Sequence, residues 1–180
     1  MKITKLMISR ISGPLLSLFL ALAFSTSPAR AQDEPKYINS FKNWHAFSYE
    51  EEGGKVCYMS SSPKKQEGDY TSRDEPYILV THRLKEKSIG VVSITAGYAY
   101  KEESTAEVLI DKKSFKLFTS ADKAWAYDDI GDKALVNAMK KGTNLVVKGT
   151  SGRDTPTTDT YSLSGFTAAY GEISKACKAK

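Results

Sequence analysis

From residue 41 onward, apolar positions fall mostly in short runs, many of them alternating with polar ones, which is the period of half-buried strands. Phe41, Trp44 and Phe47 surround His45 in a first predicted strand. Residues 55–60 (KVCYMS) make the second and carry Cys57. Between them, Glu50, Glu51, Glu52, Gly53 and Gly54 read as a solvated hairpin turn; the three adjacent carboxylates lack the spaced ligand pattern of a cation loop. Residues 61–74 are polar, with Pro63 and Gly68, and are expected to form the longest loop. Residues 77–84 (YILVTHRL) and 88–95 (SIGVVSIT) are rich in β-branched residues and predict two strands turned by Lys85, Glu86 and Lys87. Residues 97–100 (GYAY) continue or bend the second of these. Residues 106–111 and 114–119 flank Lys112 and Lys113 as a tight hairpin, although that pair is not the Asn-Gly type such turns favour. Residues 124–127 (AWAY) are a further short strand.

The last third is denser. Asp132 is a candidate helix cap, followed by Leu135, Ala138 and Met139 at i, i+3 and i+4. Lys140 and Lys141 suit a helix C-terminus, and Gly142 suits its end. Residues 145–148 predict a strand, 149–157 a loop, and 158–163 an alternating strand. Ser164 is then the expected cap of a final helix. Its Phe166, Ala169, Tyr170, Ile173 and Cys177 recur on one face, so Cys177 points to the core. About eight strands and two short helices make a mainly β protein. The expected architecture is an antiparallel β-sandwich or flattened barrel, with helices over an edge or open end. Strict βαβ alternation is absent, which disfavours a parallel α/β sheet.

The N-terminal stretch has a different pattern. Lys2, Lys5 and Arg10 precede an apolar run of eleven residues, 14–24, too short to span a bilayer as a helix. Ala29-Arg30-Ala31 has the small-x-small form of a signal peptidase site. Residues 1–31 therefore read as a secretory signal cleaved after Ala31; an uncleaved anchor is the alternative that the short run disfavours. Residues 32–40 read as a disordered leader, and 41–180 as one domain. The cleavage changes the charge argument. Four of the 26 basic residues and none of the 21 acidic ones lie in the signal, leaving 22 against 21 in the mature chain. The basic excess that would point to nucleic acid or an anionic membrane leaves with the signal. Neither is expected as a partner, and no transmembrane segment is expected in the mature chain. In an exported chain an isolated cysteine pair points to a disulfide between Cys57 and Cys177, with two buried free thiols as the other reading.

Chemical motifs are few. His45 and His82 share no HxH, HxxxH or HExxH spacing, so neither marks a metal site. A Ser-His-Asp arrangement scattered through the sequence stays open. The local elbow is wrong, however: Thr160 stands where the stretch Ser162-Leu163-Ser164-Gly165 would need a first glycine. Gly149-Thr150-Ser151-Gly152-Arg153 offers small residues and one Arg for an anion, but without phosphate-loop spacing it reads as a plain loop. Trp44, Trp125 and the tyrosines are read first as core and second as an interface patch. No catalytic, metal-binding or cofactor-binding residue is assigned.

Taken in order, the mature chain resembles the invasion-associated locus B family. The resemblance is carried by Trp44, Cys57-Tyr58, Gly97-Tyr98, Ala124-Trp125-Ala126 and the run Ala138 to Gly142. It is densest at Gly149-Thr150-Ser151, Thr155, Asp159 to Leu163 and Gly165-Phe166, and closes on Ile173 and Cys177. Two departures stand out. Asp111-Lys112 replaces an Asp-Gly, and Arg153-Asp154-Thr155 replaces an Arg-Gly-Thr. The resemblance implies a small exported β-rich protein of the periplasm or outer surface of a Gram-negative bacterium. It implies a role in host-cell attachment, invasion or envelope function through an unknown protein partner, and no known catalytic residues. The alternative from a different class is a periplasmic hydrolase using His45 or His82.

Overall fold

The computed structural model describes residues 34–51 and 54–179. The signal expected at residues 1–31 and its cleavage site lie outside these residues, as do Glu52 and Gly53 of the first hairpin. The strands are β1 (Lys36–Phe41), β2 (Trp44–Glu51), β3 (Gly54–Ser61), β4 (Lys65–Gly68), β5 (Tyr77–Arg83) and β6 (Ser88–Thr95). They continue with β7 (Thr105–Ile110), β8 (Lys113–Ser120), β9 (Lys123–Trp125), β10 (Asn144–Thr150) and β11 (Pro156–Ser162). The helices are α1 (Asp129–Lys141) and α2 (Phe166–Cys177).

All eleven strands join one antiparallel sheet, in the order β1-β2-β3-β5-β6-β9-β8-β7-β10-β11-β4. Its ends meet. Trp44 of β2 donates its indole N–H to the Ser162 carbonyl of β11 at 3.1 Å, and the Asn43 amide between β1 and β2 donates to the Ser164 carbonyl just after β11 at 3.3 Å. Strands so far apart in the sheet order touch only if the sheet curls, so the fold is a flattened β-barrel. Period-2 side chains then have an inside and an outside. Met59, Val80, Ile94, Val108 and Leu145 point inward and meet Leu135 and Met139 of α1 and Phe166 and Ile173 of α2 in one core. Each such fully buried side chain contributes roughly 1.5–3 kcal/mol.

A buried ion pair joins the β4–β5 connection to β11. Arg73, in the β4–β5 connection, bonds both carboxylate oxygens of Asp159 on β11, donates to the Ala96 carbonyl, and lies over the Tyr70 and Tyr98 rings. Both side chains are nearly inaccessible, at 3% and 5% exposure. On Asp159, burial raises the carboxyl against the lowering effect of Arg73.

Cys57 and Cys177 form the expected disulfide, tying the end of α2 to β3. Other expectations need correction. Residues 36–40, read as leader, belong to β1, which pairs with β2. The expected loop at 61–74 contains β4, whose Gln66 and Glu67 pair with Asp159 and Thr158. Glu50 and Glu51 extend β2 and pair with Lys55 and Gly54. The β7–β8 turn is Asp111-Lys112, one residue earlier than expected, with Asp111 at φ 53°. The loop at 149–157 is shorter, because β10 runs to Thr150 and β11 starts at Pro156. Asp128, not Asp132, caps α1 by accepting the Gly131 N–H at 2.7 Å. Asp132 is buried instead and accepts the Val92 N–H at 2.9 Å, fastening α1 to β6. Ser164 does not cap α2; Gly165 does, at φ 93°, where an added Cβ would lie 1.9 Å from the Phe41 carbonyl.

Candidate functional site

The outer face of the barrel is divided. Across β8, β7, β10, β11 and β4, one row of paired positions reads Lys116, Glu107, Lys148, Thr158, Glu67. Polar and alternately charged, it is an ordinary solvated face. Across β1, β2 and β3 the outward row reads Tyr37, Phe47, Tyr58. Phe47 stacks on Tyr58 with centroids 5.1 Å apart, Tyr37 meets Phe47 edge-on at 5.7 Å, and Tyr49 meets Tyr58 edge-on at 6.1 Å. Phe47, Tyr49 and Tyr58 sit on strands whose other face already fills the core, so they have no interior left to enter.

They line a groove of about 750 Å³. Its floor is the outward side of β2, β3 and β5: Phe47 and Tyr49, then Tyr58 and Ser60, then Tyr77, Leu79 and Thr81. Arg83 closes one end and is paired with Glu51 at 3.3 Å. Burial, with Tyr49 beside it, pushes the Tyr58 phenol up, so it is a protonated donor at neutral pH. Such a wall is mainly apolar with a few convergent hydroxyls and one guanidinium, the usual build of a binding groove. Glu34 and Pro35, just before β1, also line it.

The same face continues beyond the groove. Ser60, Leu79, Ser93, Trp125 and Phe118 are successive partners across β3, β5, β6, β9 and β8. Phe118 stacks on Trp125 at 5.6 Å and meets Tyr127 at 5.5 Å, and Phe118 and Tyr127 are exposed. Trp44 is fully buried against Phe166. The two tryptophans therefore have opposite fates, one core and one surface.

Each histidine meets a serine hydroxyl, and the hydrogen bonds found for them among the described residues run to no carboxylate. His82 is fully buried on β5, and its Nδ1 accepts the Gly90 N–H at 2.9 Å. That bond leaves the proton on Nε2, which donates to the Ser174 hydroxyl at 3.0 Å. A base that activates a serine must accept from it, so this tautomer holds Ser174 rather than activating it. Burial lowers the His82 pKa; a backbone hydrogen bond opposes this and Lys140 reinforces it. His45 is exposed, with its Nδ1 2.6 Å from the Ser40 hydroxyl. The two lie on opposite faces of the sheet. Among the described residues no group of three or more His, Cys, Asp or Glu side chains converges as metal ligands would. The anion cradle suggested at 149–153 is also closed. Ser151 Oγ accepts the Arg153 and Thr155 amides, the Gly152 amide goes to the Ala99 carbonyl, and that of Asp154 to the Ser151 carbonyl. Asp154 sits at φ 61° in that turn.

These features define a disulfide-tied antiparallel β-barrel protein with an aromatic groove on one half of its outer face. A family model described as Invasion associated locus B (IalB) protein matches residues 44–174, and the chain belongs to that family. The family is one of exported bacterial proteins, and the disulfide fits an extracytoplasmic location. No curated protein and no solved structure matches the chain. Among the described residues no helix is long and apolar enough to cross a membrane.

Proposed function

We propose that this protein is a non-enzymatic component of the bacterial envelope or outer surface. It binds a protein partner through the groove on β2, β3 and β5, and thereby supports host-cell attachment, invasion or envelope function. The observation that carries this reading is the aromatic cluster of Phe47, Tyr49 and Tyr58 on the outward face of strands that already fill the core inward. Contiguous aromatic surface on a soluble face is a mark of recognition, since aromatic rings supply large contact area at low entropic cost. Family membership supports the envelope or host-facing setting. The test is cross-linking capture from envelope and host-membrane extracts by the exported protein and by a Phe47→Ser/Tyr58→Ser variant. A partner retained by the natural protein and lost by the variant supports the reading. Capture that the variant performs equally well overturns it.

A further inference from the structure

We infer that the groove receives an extended, proline-containing peptide segment of the partner, in polyproline II form. This rests on the protein-binding reading above and names the chemistry of what is bound. Three observations carry it.

The first is the protein's own chain. Glu34 and Pro35 line the groove. The register pairs Tyr37 with Phe47 and Lys36 with Ser48, so these two residues run on past β1 along the side of Tyr49. Proline fixes its own φ and biases the residue before it to extended backbone. An Xaa-Pro dipeptide of the chain itself thus forms one wall of the groove, in register beside Tyr49.

The second is the balance of donors and acceptors. Tyr49, Tyr58, Tyr77, Ser60, Ser62 and Thr81 contribute hydroxyls, Arg83 contributes a guanidinium whose Nε is paired with Glu51, and Glu34 is the one carboxylate in the described lining. A proline-rich segment brings carbonyls without matching N–H groups, and its backbone is otherwise satisfied only by solvent. A donor-rich aromatic wall fits that deficit. A β-strand ligand would bring an N–H at every residue and need a free sheet edge, whereas the groove floor is the side-chain face of inner strands.

The third is spacing. From β2 to β5 is two strand separations, about 9.6 Å. One polyproline II turn is three residues, about 9.3 Å. A segment crossing the strands would place equivalent residues of successive turns first on Tyr49 or Phe47 and then on Tyr77 or Leu79.

The experiment is a fluorescence anisotropy titration of the exported protein with fluorescein-labelled decaproline. A labelled Gly-Ser decamer is the control, and chitotetraose is the competitor that reports a glycan site. Saturable binding of decaproline is expected, with none of the Gly-Ser decamer and no displacement by chitotetraose. Phe47→Ser/Tyr58→Ser should weaken it at least tenfold, and Phe118→Ser, on the same face outside the groove, should leave it unchanged. Amide shift changes on decaproline addition should concentrate in β2, β3 and β5, a readout that needs no variant to fold. Absence of saturable binding, equal binding of the Gly-Ser decamer, displacement by chitotetraose, or shifts confined elsewhere overturns the inference. If decaproline fails while groove-dependent capture of a partner persists, only this inference falls; if both fail, the protein-binding reading falls with it.

Discussion

Reducing the Cys57–Cys177 bridge should loosen one end of α2 before it unfolds the barrel. The bridge joins residues 120 apart in sequence, for which loop-closure entropy gives about 5 kcal/mol. Engineered and native bridges often deliver less, so Cys177→Ser should lower global stability by about 2–5 kcal/mol. Phe166, Ile173 and Ser174 also anchor the helix. Phe166 and Ile173 are fully buried, worth roughly 1.5–3 kcal/mol each. Ser174 accepts the His82 Nε2 proton at 3.0 Å. These anchors all lie before Cys177, the last residue of α2. Loss of the bridge therefore leaves 166–174 seated and frees the last turn, 175–179. Hydrogen exchange with mass spectrometry, on oxidised and reduced protein, reads this directly. Protection should fall most at 175–179 and least at 166–169. Equal protection across 166–177 in both states would show that apolar packing alone secures the helix. Two titrating thiols in the folded, exported protein would remove the bridge from the argument.

Three further outcomes follow from buried groups. His82 is held neutral, with its pKa lowered by burial, so between that lowered value and 6.5 the unfolded chain binds more protons than the native one. Its contribution is then complete above about pH 6.5 and lost as pH falls through the folded-state value, at up to about 1.4 kcal/mol per pH unit. Urea unfolding from pH 7.5 to 5.5 should show this slope in the natural protein and not in His82→Gln; equal slopes would refute it. Arg73→Ala leaves the Asp159 carboxylate buried and unpaired and should cost about 3–5 kcal/mol, while Arg73→Met/Asp159→Leu should recover most of it. A single-variant loss under about 1 kcal/mol by denaturant titration would contradict the buried pair. Gly165→Ala should lose at least about 2 kcal/mol, from its positive φ and the Phe41 carbonyl, and Gly171→Ala, with open space around it, should gain about 0.5–1 kcal/mol. Equal melting temperatures for the two variants would overturn that assignment.

Strands that alternate apolar and polar residues were legible without a structure, because burial on one face writes its own period. So were the disulfide and the face of α2 that carries it, since Cys177 shares its periodicity with Phe166, Ala169 and Ile173. β4 was not legible. Its four residues, KQEG, are all exposed, and they become a strand only because β11 offers a backbone edge beside them. β1 is hidden for the same reason, as an edge strand whose side chains are mostly solvated. The helix caps were misread through a surplus of suitable residues. Asp128, Asp129 and Asp132 all have cap chemistry, and the choice is made by Val92, whose amide takes Asp132 into the core. At α2, the close approach of the Phe41 carbonyl requires glycine at the cap and displaces Ser164 from that role.

The groove was less legible than the fold, yet a signal for it was present. Alternation tells which residues share a face, not which face turns inward. On β2 the inward residues are Trp44, Ala46 and Ser48, and the outward ones include Phe47 and Tyr49; on β3, Cys57 and Met59 oppose Tyr58. Both parities of these strands carry large apolar groups. A strand apolar on both faces is expected to be covered on both. In a one-layer barrel wall the interior covers only one, so the second set of rings must lie outside. The partner strands across the barrel obey the opposite rule, with Glu107, Lys116 and Lys148 outward against Val108, Leu117 and Val147 inward. On the proposed function the two halves differ in role: the charged half keeps the barrel solvated, and the aromatic half is the surface that the proposed partner would cover.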